Sequence, residues 1–258
     1  MDKLVFITGA SSGIGQALAW RYHQAGWRLA LSARRAGAIE RWAAERGLAA
    51  GRFCVYGADV AVADDIIAAG RSCIARQGLP DVVIANAGLS VGMDSAVRED
   101  IDLMARTLAV NTVGMAATFH PFIAAMRERG SGTLAGIASA GGIRGMPGHG
   151  AYCASKAAVI SYCESLRGEL RADGIRVVTI VPGYVDTPLT RGNRYPMPFL
   201  MAPDAFAGRA FAAIEAGASY RVIPWQMALV TRLLRLMPNA WFDRVLAGRP
   251  RKQRQGER

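Results

Sequence analysis

The sequence predicts an α/β fold: a Rossmann-like, doubly wound, mainly parallel sheet of seven strands with helices on both faces, plus a C-terminal helical extension. Three observations carry this. Short apolar runs recur along the chain, and they are continuous rather than alternating, as in strands buried on both faces of a parallel sheet. Amphipathic helical patterns separate them, which implies right-handed βαβ crossovers. A glycine-rich turn follows the first apolar run and opens the first helical pattern.

The strands are expected at Leu4–Thr8, Arg28–Ser32, Arg52–Tyr56, Val82–Ala85, Gly132–Ile137, Val177–Val181 and Tyr220–Ile223. Helical spacing marks Gly13–Ala25, Ala63–Gln77, Ile101–Met126 and Ala151–Ala172. Pro203 suits the first turn of another helix, where its missing N–H has no intrahelical partner to lose. Two further helices follow Pro224, separated by Pro238. The chain therefore divides into an α/β domain (1–224), an amphipathic helical extension (225–248) and a basic, disordered tail (249–258).

Apolar residues form 52% of the 258 positions, which excludes disordered and fibrous classes. No uncharged apolar run reaches the roughly 18 residues of a membrane span. The first strand begins at Leu4, leaving no room for a cleavable signal, so a cytoplasmic protein is expected. Of the four cysteines, Cys153 and Cys163 share one helix about 15 Å apart, too far to bridge, and none forms a CxxC pair. His23, His120 and His149 have no metal-ligand spacing, and no metal is expected. The net charge of +11 is uneven: residues 221–258 carry +7 and the preceding 220 carry +4.

The turn after the first strand reads Thr8-Gly9-Ala10-Ser11-Ser12-Gly13-Ile14-Gly15. Its glycines let the backbone approach a pyrophosphate, and the helix behind them points free N–H groups at it. The second strand ends Ser32-Ala33-Arg34-Arg35. No acid stands where NAD-binding folds place one for the ribose 2′-hydroxyl. Arg34 and Arg35 offer guanidinium forks that match a 2′-phosphate, so NADP(H) is expected over NAD(H). A solvated surface pair is the alternative.

Tyr152 and Lys156 lie four residues apart on one helix and can converge on one point. A nearby ammonium favours a phenolate and lowers a tyrosine pKa from about 10. Tyr152 would then donate a proton to a carbonyl oxygen, or take one from an alcohol. Ser139, thirteen residues upstream, can hydrogen-bond an oxygen gaining negative charge. Asn111 opens Asn-Thr-Val-Gly, Asn86-Ala87-Gly88 follows the fourth strand, and Pro182-Gly183-Tyr184-Val185-Asp186-Thr187 follows the sixth.

With the glycine turn, these motifs resemble the classical short-chain dehydrogenase/reductase family over about residues 1–224. The resemblance implies a nicotinamide-dependent oxidoreductase with Ser139, Tyr152, Lys156 and Asn111 as catalytic residues. It implies that Lys156 also holds the nicotinamide ribose and that Asn111 holds a water in a proton relay. Asp59-Val60 would contact adenine, Asn86–Gly88 would lie beside the cofactor, and Thr187 would hold the nicotinamide amide. Asp59 could instead cap a helix. The resemblance also implies a homodimer paired through 101–126 and 151–172.

Beyond Thr187, the stretch 189–201 is rich in aromatics and Met in its second half, suiting an apolar carbonyl or alcohol substrate or a lid packed on the core. Two other functions share the fold: a non-catalytic NADP-binding regulator, and an epimerase or dehydratase. Cys153 is expected to pack, and His149, three residues before Tyr152, to be a solvated loop residue, with a place near the substrate mouth as the alternative. In the extension, Met227, Val230, Leu233, Leu234 and Met237 repeat at helical spacing, as do Trp241, Phe242, Val245 and Leu246. Packing on the domain or a dimer partner is the expected fate of these faces. Peripheral contact with the inner face of an anionic membrane is the alternative. No nucleic-acid partner is expected.

Overall fold

A computed structural model describes residues 2–193, 195–248 and 250–254. Its elements run β1 (Leu4–Thr8), α1 (Gly13–Gln24), β2 (Arg28–Ala33), α2 (Ala36–Glu45), β3 (Phe53–Gly57), α3 (Ala63–Gln77) and β4 (Val82–Ala85). Then come α4 (Arg98–Leu108), a π-helical segment (Ala109–Val113), α5 (Gly114–Arg129), β5 (Gly132–Ile137), a 3₁₀ turn (Ala140–Gly142) and α6 (Gly150–Leu170). β6 (Ile175–Pro182), α7 (Pro203–Glu215), β7 (Tyr220–Ile223), α8 (Trp225–Leu236) and α9 (Asn239–Leu246) complete the fold.

The seven strands form one sheet in the order β3-β2-β1-β4-β5-β6-β7, and every neighbouring pair is parallel. Strand order reverses between β1 and β4, so a crevice opens beyond their carboxyl ends. Alternate strand residues feed two cores. Val5, Ile7, Leu29 and Leu31 meet Leu18 and Tyr22 of α1, Ile39 and Trp42 of α2, and Phe206 and Ile214 of α7. Leu4, Phe6 and Val83 meet Ile66 of α3, Phe119 and Phe122 of α5, and Val159 and Leu166 of α6. This two-sided burial is why the strands read as unbroken apolar runs.

Several boundaries differ from expectation. The helix expected over 101–126 begins at Arg98 and continues to Arg129, with the π-helical segment inside it. By length and composition this 32-residue stretch could cross a membrane. Part of its apolar side packs in the core, where Phe119, Phe122 and Met126 are fully buried, while Ile101 and Val113 are exposed. α2 was not among the expected helices; it follows the Arg34-Arg35 turn with no side-chain cap.

The tail also departs from expectation. Arg249 and residues 255–258 lie outside the described residues, but 250–254 are not detached: they run back over the domain and hydrogen-bond it. In the extension, Met227 and Phe242 pack inward while Trp225, Leu229, Leu233, Leu236, Trp241 and Val245 stay exposed. Packing on the domain accounts for only part of those apolar faces.

Candidate active site

The first wall of the crevice is the β1–α1 turn. Gly9 and Gly13 have φ of +67° and +56°, which L side chains rarely adopt. A Cβ on Gly15 would stand 2.2 Å from the Gly9 carbonyl oxygen, so this glycine lets the helix start against the turn. Ser12, the N-cap of α1, makes no side-chain cap bond, and the first turn carries no acid. The helix thus presents uncapped N–H groups and its positive dipole end, a site fit for an anion. Gly9, Ser11, Gly13 and Ile14 line the cleft, whereas Gly15 packs behind them.

Asn86 closes the turn from β4. Its Nδ2 donates to the Thr8 carbonyl at 3.0 Å, and its backbone N–H donates to Thr8 Oγ1 at 3.1 Å. Asn86, Ala87 and Gly88 all line the cleft. At the end of β2, Arg34 and Arg35 reach the same cleft with Asp59 and Val60. Arg35 donates to Ser11 Oγ at 3.4 Å, and Arg34 pairs with Asp59 at 3.8 Å. Asp59 accepts from the Ala61 N–H at 3.0 Å but does not cap α3, whose N-cap is Val62. The residue set fits a nicotinamide dinucleotide: a glycine cradle, an uncapped helix end and two guanidinium groups.

The reacting end lies beyond β5. Ser139 caps the 3₁₀ turn by accepting from the Gly141 N–H at 3.1 Å. Ser139, Tyr152 and Lys156 line one cleft, whose volume is about 430 Å³. Burial pushes the Tyr152 hydroxyl up to about 12, opposed by its hydrogen bond with Ser139. Burial also pulls Lys156 down to about 8, and its Nζ donates to the Ile137 carbonyl at 2.8 Å. The sequence reading assigned the lowering influence on Tyr152 to Lys156; in this structure it comes from Ser139.

Asn111 sits in the π-helical segment, a distortion often found at functional sites. Its Oδ1 accepts from the Leu89 N–H at 2.7 Å, and its Nδ2 donates to Ser155 Oγ at 2.8 Å. A Cβ on Gly88 would lie 3.5 Å from Asn111 Oδ1 and 3.6 Å from Lys156 Nζ, so the two side chains approach the same point beside Gly88. Pro182, Gly183, Val185 and Thr187 form the facing wall after β6.

Three features escaped the sequence reading. Arg106 of α4 lines the cleft, and a single helical arginine gives no signal in a sequence. Leu89 lines it from the loop after β4, opposite Leu189 of the expected substrate stretch. His149, expected to be solvated, is buried, and its Nε2 hydrogen-bonds the Tyr195 hydroxyl at 3.1 Å. Cys153 packs as expected. Arg194, in the substrate stretch, lies outside the described residues.

The family model for short chain dehydrogenases matches residues 3–197. An uncharacterized oxidoreductase of Myxococcus xanthus is 36% identical over 241 residues, 93% of this chain and 95% of that protein. Among solved structures, the 3-ketoacyl-(acyl-carrier-protein) reductase of Brucella melitensis complexed with NADH is 28% identical with a TM-score of 0.78. The alignment covers 86% of this chain and 96% of that one. An alcohol dehydrogenase of Thermococcus sibiricus complexed with 5-hydroxy-NADP is 25% identical, with a TM-score of 0.75 and the same coverage, 86% and 96%. The chain belongs to the short-chain dehydrogenase/reductase family of oxidoreductases.

Proposed function

We propose that this oxidoreductase interconverts a carbonyl and a secondary alcohol with NADP(H), using Tyr152 as general acid and base. The observation that carries the reading is the convergence of Ser139, Tyr152 and Lys156 in the cleft that also holds the uncapped glycine turn. In reduction, Tyr152 donates its proton to the substrate oxygen as that oxygen gains charge. Ser139 holds the same oxygen by a hydrogen bond. Lys156, which lines the same cleft as Tyr152, and Asn111 would return the proton through an ammonium and an ordered water. When bound, the nicotinamide supplies the hydride. The NADH and 5-hydroxy-NADP complexes of the two solved relatives support a nicotinamide cofactor here. Preference for NADP(H) rests on Arg34, Arg35 and Ala33, where a guanidinium pair replaces an acid.

An apolar substrate fits the stretch after Thr187, where Phe199 and Leu200 are about half exposed. We extend the reading to a cytoplasmic homodimer paired through α6 and the continuous stretch from α4 through the π-helical segment to α5, where Ile101 and Val113 are exposed. Peripheral contact with a membrane through α8 and α9 belongs to the same reading. The test is a carbonyl panel of fatty, aromatic and cyclic ketones followed by absorbance of NADPH, with NADH in parallel. The expected result is turnover of apolar ketones with NADPH and weaker turnover with NADH. Absence of turnover with either cofactor overturns the proposal; equal use of NADH overturns the cofactor preference alone.

A further inference from the structure

We infer that residues 250–254 form a strap across the substrate entrance and limit by size what reaches Tyr152. The inference rests on the carbonyl reading in one respect, that Tyr152 marks the reacting end of the cleft. Three loops lie at that end: those after β4 and after β6 line the cleft through Leu89 and Leu189, and the loop before α6 leads into the helix that carries Tyr152. The strap touches all three. The Gly92 N–H donates to the Gln253 carbonyl at 3.1 Å, and Gly92 pairs with Arg254 as an isolated parallel bridge. Lys252 Nζ donates to Ser90 Oγ at 2.9 Å and to the Leu189 carbonyl at 3.3 Å, joining the first loop to the third. Arg251 Cβ lies 3.0 Å from where a Cβ on Gly148 would stand, beside His149.

Two further features fit the strap to its seat. A Cβ on Gly92 would stand 2.1 Å from the Lys252 carbonyl oxygen, and its nearest neighbours all belong to the strap. Gly92 is absent from the glycines with positive φ, so the strap itself is what an alanine would strike. Asp100 forms the anchor: its carboxylate, 9% exposed, accepts Arg254 Nε at 2.7 Å and Nη2 at 3.3 Å. The same carboxylate accepts the Asp94 N–H at 2.7 Å, tying the anchor to the β4–α4 loop. A short segment seated by polar contacts, the Arg254–Asp100 ion pair among them, opens locally without unfolding the domain. Slim ketones pass beneath it, while bulky ones require its release.

The test compares the full chain with Gly92→Ala, Asp100→Asn and a chain ending at Gly248. Gly92→Ala ejects the strap without touching the carboxylate that also orders the β4–α4 loop. Trypsin should cut after Arg251 and Lys252 about tenfold faster in both point variants, because cleavage follows the open population. In all three altered forms, kcat/KM for a bulky aryl ketone should rise roughly five- to tenfold while that for cyclohexanone stays within about twofold. The Kd for NADPH should not change. Equal cleavage rates in the full chain and Gly92→Ala, or parallel shifts for both ketones, overturn the strap. If no form turns over any carbonyl, the reading of Tyr152 fails on its own. The strap is then judged by cleavage and by uptake of a bulky apolar dye, and unchanged values in Gly92→Ala overturn it.

Discussion

Tyr152 and Lys156 show burial working on two protons in opposite directions. The Tyr152 hydroxyl is held at about 12 and the Lys156 ammonium at about 8, both chiefly by desolvation. A buried lysine below its ordinary pKa costs folding free energy wherever it is protonated. That cost is full below about pH 8 and is relieved as pH rises towards about 10.5, because the unfolded chain binds the extra proton there. Lys156→Met should therefore raise Tm at pH 7 by roughly 2–4 °C per kcal/mol recovered, while turnover falls. Its Tm should also climb less between pH 8 and 10; thermal scans of both proteins across that range check the sign. Tyr152→Phe removes only the hydroxyl. Turnover should drop by at least about 10²–10⁴-fold while NADPH still binds, as titration of cofactor fluorescence would show. Near-normal rates in that variant would remove Tyr152 from its role. At the other end of the cleft, Ala33→Asp with Arg34→Ser should move preference towards NADH by roughly tenfold or more, as an acid repels the 2′-phosphate and holds the hydroxyl. Ser139, Tyr152 and Lys156 were legible because their residue types and spacing are unusual together. Arg106 at the cleft and the His149–Tyr195 hydrogen bond were not, because chain folding alone brings these side chains to their places.

The strands were legible nearly to the residue, since burial on both faces removes the polar alternation that blurs a strand's ends. β1, β4, β5 and β7 match their expected limits, and β6 extends beyond its own because Ile175 and Pro182 also pair. Helices were less legible where side chains serve another purpose. The α4–α5 stretch carries Pro121, which fits only because Gly70 of α3 leaves room: a Cβ there would stand 2.4 Å from the Pro121 ring. Its π-helical segment, invisible to a 3.6-residue period, places Asn111 beside Leu89. The β1–α1 junction depends on a single missing atom in the same way. Gly15→Ala would force the start of α1 away from the Gly9 carbonyl, and overpacking of this kind costs about 1–3 kcal/mol. The expected outcome is a lower Tm together with a loss of NADPH affinity of roughly tenfold or more, since the N–H groups facing the phosphates move with the helix. Calorimetric binding and a thermal melt on one preparation would check both; an alanine variant that binds normally would mean the junction is not strained.

At the scale of the whole molecule, the C-terminal helices are mounted on the catalytic end. Arg144, five residues after Ser139, donates to the carbonyls of Leu234 and Met237 and to Asn239 Oδ1, and its guanidinium lies 3.9 Å over the Phe242 ring. Arg235 donates to the Ile143 carbonyl at 3.3 Å. Held this way, α8 and α9 keep Trp225, Leu233, Leu236 and Trp241 between 64% and 81% exposed. Such an apolar stripe is unusual on a water-facing surface. Exposed cations share these helices: Arg232 on α8 and Arg244 on α9. Apolar helical faces with tryptophan and arginine suit the interface of an anionic membrane, where each cation contributes about 1 kcal/mol. Attachment there would set the cleft beside a pool of lipid-soluble ketones. The protein should co-sediment with phosphatidylserine-containing vesicles at low salt, release in about 0.5 M salt as the charges are screened, and bind neutral phosphatidylcholine vesicles weakly. Leu233→Ser with Leu236→Ser should stay in the supernatant while keeping its turnover of a soluble ketone, because neither side chain lines the cleft. Size-exclusion chromatography decides the competing fate of the stripe. If the double variant falls from dimer to monomer, these helices are the seam between two copies. If the unaltered protein ignores anionic vesicles, the membrane proposal fails.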